Sequence, residues 1–215
     1  MTAETARVYI IDDDADMRGA LSSLLRSTGY DVVLFGSTRD FLSHTLADQP
    51  SCLVLDIRLQ AESGLDFQER LARDNIRIPV VLMTGHGDIP MTVRGMKAGA
   101  VDFLPKPFRE EEMLSAVAAA IEVDRARRIA AGNVGALRQR YEGLTPRERE
   151  VMGLVVTGLM NKQVAGRMSL SEITVKIHRG NVMRKMEAQS LADLVRMAEQ
   201  LDIRDASITR FSPQD

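Results

Sequence analysis

Two patterns of apolar residues divide the chain. In the first half, short runs rich in Val, Ile and Leu recur at residues 7–12, 31–35, 52–56, 79–84 and 101–105. Runs this short, with few polar interruptions, predict strands covered on both faces, as parallel strands are. Between them the spacing changes to that of amphipathic helices, at residues 16–27, 38–46, 64–74 and 89–98. A fifth helix is predicted to begin near Arg109 and to run through Met113, Val117 and Ile121. Regular alternation of strand and helix predicts an α/β domain built on a doubly wound, five-stranded parallel sheet over residues 1–124.

The pattern then changes. The stretch after Asp124 is rich in Arg and Ala, has few large apolar residues and carries Gly132 and Gly135. It predicts a helical linker over residues 125–142, helical at first and weakened at the glycines. From Gly143 onward no strand pattern occurs. Helical periodicity runs over residues 146–157, 161–168, 171–186 and 191–201, which predicts an all-α, four-helix domain over residues 143–215. The tail beyond Asp205 is predicted to be loosely ordered.

Composition narrows the classes. The chain has 215 residues, 45% hydrophobic and 27% charged, as a soluble globular protein of one large or two modest domains would. Its apolar runs are far shorter than the roughly 18 residues of a membrane span. The first residues do not have the charged start and apolar core of a secretory signal, so no membrane association and a cytoplasmic location are expected. Cys52 is the sole cysteine, which rules out an intrachain disulfide, and its neighbours Leu53, Val54 and Leu55 predict a buried thiol. Net charge is −2, but it is unevenly spread: residues 138–215 carry an excess of three positive charges and the remainder an excess of five negative. An acidic front and a mildly basic back point to different partners.

The polar residues of the first half fall where chemistry is possible. Asp12 and Asp13 end the first strand, Asp56 the third and Thr84 the fourth, while Lys106 follows the fifth. In a parallel sheet these ends share one edge, where ligands bind. Three converging carboxylates repel one another and need a cation, and hard oxygen donors suit Mg²⁺. Asp56 is placed to attack phosphorus. Lys106 and Thr84 can supply an ammonium and a hydroxyl to phosphoryl oxygens. Asp14 is read as the cap of the first helix.

These residues, in the runs I-I-D-D-D, V-L-D-I-R, M-T-G-H-G and D-F-L-P-K-P-F, resemble the motifs of a response-regulator receiver, a flavodoxin-like fold, over roughly residues 5–124. The resemblance implies phosphorylation of Asp56 by a sensor histidine kinase. It implies Mg²⁺ held by Asp13, Asp56 and the main-chain carbonyl of Arg58, with Asp12 acting through water. It implies a switch in which Thr84 moves toward the phosphoryl group and Phe103 rotates inward, and a cis Lys106–Pro107 bond. Arg58 and His86 would flank the site. The chain departs from many relatives at Leu59-Gln60, where a proline is common, so the loop after Asp56 is less predictable.

In the second half, residues 161–186 read as a short helix, a turn around 169–171 and a longer helix capped by Ser171. On a helical wheel Val175, Val182 and Met186 fall within about 40° of one another and define a core face. Lys176, Ile177, Gly180, Asn181 and Arg184 lie opposite. An isoleucine between basic residues on that side fits contact with a thymine methyl group in the major groove of double-stranded DNA. Together with L-T-P-R-E-R-E-V at 144–151, the stretch T-V-K-I-H-R is similar to the LuxR/FixJ/NarL helix-turn-helix family. The resemblance implies that Lys176 and Ile177 reach base edges, while Lys162, Thr174, His178 and Arg179 hold phosphates. His178 also lies toward the core side of the wheel, which fits a packed, hydrogen-bonded histidine as well as a phosphate contact. Gly180 stands where some relatives carry a basic side chain.

The combined reading is a transcriptional regulator, not a turnover enzyme. Phosphorylation would shift an existing equilibrium toward a homodimer through residues 89–98, 101–105 and 109–121, with Ala118, Ala119 and Ala120 allowing close approach. RNA polymerase would be a further partner. A phosphatase built on Asp56 would need a second acid two residues on, where this chain has Arg58. A receiver acting as a phosphate-independent dimer module is the other alternative.

Overall fold

The computed structural model describes residues 5–85 and 89–203. The chain separates into two compact units, Met1–Arg128 and Ile129–Asp215.

The first unit is built on strands β1 (Arg7–Ile11), β2 (Asp31–Phe35), β3 (Ser51–Asp56), β4 (Val80–Thr84) and β5 (Asp102–Pro105). They form one parallel sheet in the order β2-β1-β3-β4-β5. Alternate residues of each strand enter separate apolar layers: Val8, Ile10, Cys52 and Val54 on one face, Tyr9, Ile11, Leu53 and Leu55 on the other. Burial on both faces is why the strands read as nearly continuous apolar runs. Helices α1 (Ala15–Ser27), α2 (Thr38–Ser43), α3 (Gly64–Arg73) and α4 (Ile89–Lys97) connect successive strands, and α5 (Glu110–Glu142) follows the last.

Two helices differ from the sequence expectation. Helix α2 ends at Ser43 rather than Leu46. The His44 ring leaves the helix to lie against Tyr9 and Phe35, and the Ala47 amide donates to the Tyr9 hydroxyl. Helix α5 is unbroken through Gly132 and Gly135. Two glycines cost about 1 kcal/mol each, which the alanines around them tolerate. The expectation for Ala118–Ala120 is also corrected: Ala118 and Ala119 are exposed, but Ala120 is buried in the core. The next residue, Ile121, is buried in the same core, so Ala120 turns toward the core while Ala118 and Ala119 stay on the outer side.

The second unit holds α6 (Pro146–Val155), α7 (Asn161–Met168), α8 (Glu172–Met186) and α9 (Leu191–Gln200), with Leu137 in its core. Pro146 opens α6 behind a reciprocal cap, in which Glu148 N donates to Thr145 Oγ1 and Thr145 N donates to Glu148 Oε2. The turn between α7 and α8 is made by Ser169 in the left-handed region (φ 54°), and Ser171 Oγ accepts from Thr174 N to start α8.

Candidate functional site

Strand register brings the acidic residues together. Ile11 pairs with Leu55, so Asp12 and Asp56 emerge side by side where the strand order reverses between β1 and β3. That crevice is where open α/β sheets bind ligands. Oxygens of Asp12, Asp13 and Asp56 all lie within 4.8 Å of one another. Lys106, just past β5, reaches across β4: its Nζ donates to Asp56 Oδ2 at 2.8 Å and to Asp12 Oδ2 at 2.9 Å. Asp12 is wholly buried. Its Oδ1 accepts from Asp14 N, and its carbonyl accepts from Arg18 Nη1. Asp56 Oδ1 accepts from Arg58 N at 3.2 Å. Asp14 caps α1 by accepting from Asp16 N and Met17 N, as its position suggests.

The electrostatics follow from burial. Desolvation pushes the Asp56 carboxyl above its ordinary range and outweighs the opposing bonds from Lys106 and Arg58 N. Burial pulls Lys106 down, yet its bonds to Asp56 and Asp12 hold the ammonium above its usual value. Lys106 bonds two of the three acidic groups and Asp13 stands beside them, so carboxyl groups outnumber the one ammonium. A compact set of hard oxygens with surplus negative charge fits a small divalent cation such as Mg²⁺.

The remaining residues of the first unit take distinct places. Thr84 is buried at the end of β4, and its carbonyl accepts from Lys106 N at 2.6 Å. Phe103 is half-buried and packs on the Tyr9–Leu55 layer. The Lys106–Pro107 bond is cis. Arg58 is exposed, and its backbone forms an antiparallel bridge with Ser63 that closes the loop after Asp56. Glycine is required at position 64, since a Cβ there would lie 2.3 Å from the Asp56 carbonyl oxygen. His86 lies outside the described residues, as does the tail beyond Asp205.

In the second unit α8 buries Val175, Val182 and Met186, the three residues of the core face on the wheel. Lys176 and Lys162 are exposed, and Ile177 is 59% exposed. Thr174 and Arg179 are half-buried. Thr174 shares a hydroxyl contact with Ser171, and Arg179 Nη1 donates to Asn161 Oδ1 at 3.1 Å across to α7. His178 is half-buried with its Nδ1 shielded from solvent, so the ring belongs partly to the packing.

Two features escaped the sequence. Ile173, one turn before Ile177, is 73% exposed and extends the apolar patch toward the start of α8. Its four-residue spacing from Ile177 is a signal that could have found it. Asp124, given no role at the boundary between the first domain and the linker, is buried in α5. It accepts from Ser51 N at 3.0 Å and from Arg128 Nε at 2.6 Å, and it also pairs with Arg127. A lone Asp in an Arg-rich stretch gives no hint of such a clasp.

Comparison with known proteins agrees with this geometry. Residues 8–118 match the response regulator receiver domain, and residues 142–198 match the bacterial regulatory proteins of the luxR family. Nodulation protein W of Bradyrhizobium diazoefficiens is 60% identical over 198 residues, spanning 92% of this chain and 87% of that one. The solved structure of response regulator StyR matches with a TM-score of 0.79 at 45% identity, covering 91% of this chain and 99% of its own. Full-length FixJ from B. japonicum matches with a TM-score of 0.56 at 37% identity, covering 95% of this chain and 100% of its own. The chain belongs to the FixJ-type two-component response regulators, a receiver followed by a LuxR-type DNA-binding domain. Such a protein is a phosphorylation-dependent regulator of transcription, with a histidine kinase and DNA as the partners this domain pair implies. No helix among the described residues is long and apolar enough to cross a membrane.

Proposed function

We propose that Asp56 accepts a phosphoryl group from a sensor histidine kinase, that the phosphorylated chain forms a homodimer, and that α8 then reads promoter DNA. The observation that carries this reading is the Lys106 ammonium held between Asp56 and Asp12 beside a third carboxylate. In the transfer, an Asp56 oxygen bonds to phosphorus as the bond from phosphorus to the donor imidazole nitrogen breaks and the imidazole leaves. Asp13, Asp56 and the Arg58 main-chain carbonyl would hold Mg²⁺, with Asp12 acting through water. Held there, Mg²⁺ would offset negative charge on the incoming group.

The chain's own residues do the rest. Lys106 exchanges a carboxylate oxygen for a phosphoryl oxygen, and the Thr84 hydroxyl donates to another. Phe103, only half-buried, then turns inward behind Thr84. That alters the surface of α4, β5 and α5, where Ile89, Val93 and Met96 are exposed. A symmetric dimer over this surface would present two copies of α8 to an inverted repeat. Lys176 and Ile177 would contact bases; Lys162, Thr174, His178 and Arg179 would hold phosphates. Bound there, the dimer would regulate RNA polymerase.

The experiment is direct. Full-length protein is treated with acetyl phosphate and Mg²⁺, then followed by intact mass, sedimentation and promoter binding. Wild type should gain one phosphoryl group, double in mass and bind DNA more tightly, and Asp56→Asn should do none of these. Equal phosphorylation of the two proteins removes Asp56 as the acceptor. An unchanged sedimentation coefficient after phosphorylation removes the dimer.

A further inference from the structure

The loop after Asp56, which carries Leu59 and Gln60, is tied down at a point no motif marks. Its base is closed by the bridge between Arg58 and Ser63 and by Gly64 N donating to the Ile57 carbonyl at 2.8 Å. Its far side is held through Glu62. The buried Thr38 hydroxyl, in the first turn of α2, donates to Glu62 Oε1, and Arg70 of α3 lies 3.5 Å from the same oxygen. One carboxylate therefore joins the loop to helices on both sides. Between the loop and residues 36–38 lies a cleft of about 130 Å³, lined by Asp13, Ser37, Thr38, Gln60 and Glu62. The clasp thus borders the acidic site, and the clasped loop carries Arg58.

We propose that Glu62 is a positioning residue: clasped by Thr38, it fixes the loop bearing the Arg58 main-chain carbonyl and so sets the affinity of the acidic site for Mg²⁺. The proposal rests on the reading of Asp13, Asp56 and Arg58 as ligands of that ion. Mg²⁺ demands near-octahedral placement of its oxygens and tolerates little displacement, so a carbonyl supplied by a loop is useful only if the loop is held. Groups that orient ligands typically contribute tenfold or more to metal affinity. The Thr38 hydroxyl carries no charge, so the effect of losing it separates from the attraction of Glu62 for a cation.

A double-mutant cycle on the full chain tests this, with Mg²⁺ binding measured by calorimetry in the absence of any phosphoryl donor. Thr38→Val, which keeps the shape and loses the donor, should weaken Mg²⁺ binding about tenfold. Thr38→Ser should restore it. In the Glu62→Ala background, Thr38→Val should have no further effect, because its partner is gone. Amide exchange at residues 58–63 should be faster in Glu62→Ala, a readout that stands even where the valine variant folds poorly. A valine variant that binds Mg²⁺ as wild type does, effects that add in the double variant, or unchanged exchange each overturn the positioning role. Wild-type protein that takes up no Mg²⁺ overturns the metal-site reading beneath it and this proposal with it.

Discussion

The acidic cleft and the outer face of α8 work in opposite ways. In the cleft the central groups are restrained before any ligand arrives: Asp12 is buried and bonded at both carboxylate oxygens, and Lys106 is shared between two carboxylates. On α8, Lys176 and Ile177 stand in water. Phosphoryl chemistry needs charges fixed in advance, in surroundings where each interaction is strong. DNA contact does not, because the groove orders flexible side chains when it arrives and the phosphates attract basic groups from a distance. A rigid site should therefore fail abruptly when altered, and a solvated face should fail by degrees.

Lys106 offers the largest contrast. Its replacement by methionine removes the cation that two carboxylates share and that the phosphoryl group is proposed to meet. Loss of one such fixed donor typically costs 10²–10³ in rate, so phosphorylation by acetyl phosphate should slow by about that factor. Quenched time courses read it. A slowing of less than tenfold would mean that the cleft is not preorganised around Lys106.

Next in size is a rigid contact inside the unit that bears the flexible face. Glu148 is buried, bonded to Lys185 Nζ at 2.7 Å and to Thr145 N at 2.8 Å. Burial pushes its carboxyl up, but the bonds from Lys185 and Thr145 prevail and its value lies below the ordinary one. A carboxyl lowered by folding stabilises above its unfolded value of about 4.3, and that contribution is lost as pH falls through the lower folded value. Glu148→Gln should destabilise the helical unit by about 2 kcal/mol at pH 7, less than for a fully enclosed pair because Lys185 keeps a third of its surface in water. Urea melts followed by circular dichroism should show the deficit shrinking below pH 4. A deficit unchanged down to pH 3 would show that the carboxylate charge contributes nothing.

Ile177→Ala should cost less, about 1–2 kcal/mol of affinity for the operator and almost nothing for random DNA. Because Ile177 is outside the core, the melting point should not move. Fluorescence anisotropy on the two DNAs separates the cases, and equal reductions on both would make Ile177 a general surface contact rather than a reader.

What could be read in the sequence follows the same division. Strands buried on both faces announce themselves, because every second residue must suit one of two apolar layers, as with Val8 and Tyr9. Asp12, Asp56 and Lys106 were legible because few residue types can end adjacent strands and do this chemistry. The face of α8 was legible through phase: with Val175 and Val182 buried, Ile177 had to point outward. Illegible were the pairings that depend on tertiary placement alone. Asp124 meets Ser51 N from 73 residues away, and Thr38 meets Glu62 from 24 away. Neither pair lies on a periodic pattern. The end of α2 was missed for the same reason, since the Tyr9 and Phe35 rings that draw out His44 belong to other strands.

The smallest effect sharpens the comparison most. Lys162 is exposed on α7, with no role in the core, and is proposed to meet one phosphate. A protein that neutralises a phosphate releases condensed counterions, so the slope of log affinity against log salt shrinks by about 0.9 for each phosphate no longer neutralised. Lys162→Ala should therefore weaken specific and random DNA binding alike, by about tenfold at most in low salt, and flatten the slope by about one. The discrimination between operator and random sequence should stay at its wild-type value, which is where Lys162 and Ile177 part company. A vanished preference with an unchanged slope would place Lys162 at a base edge, and α7 would then enter the groove together with α8.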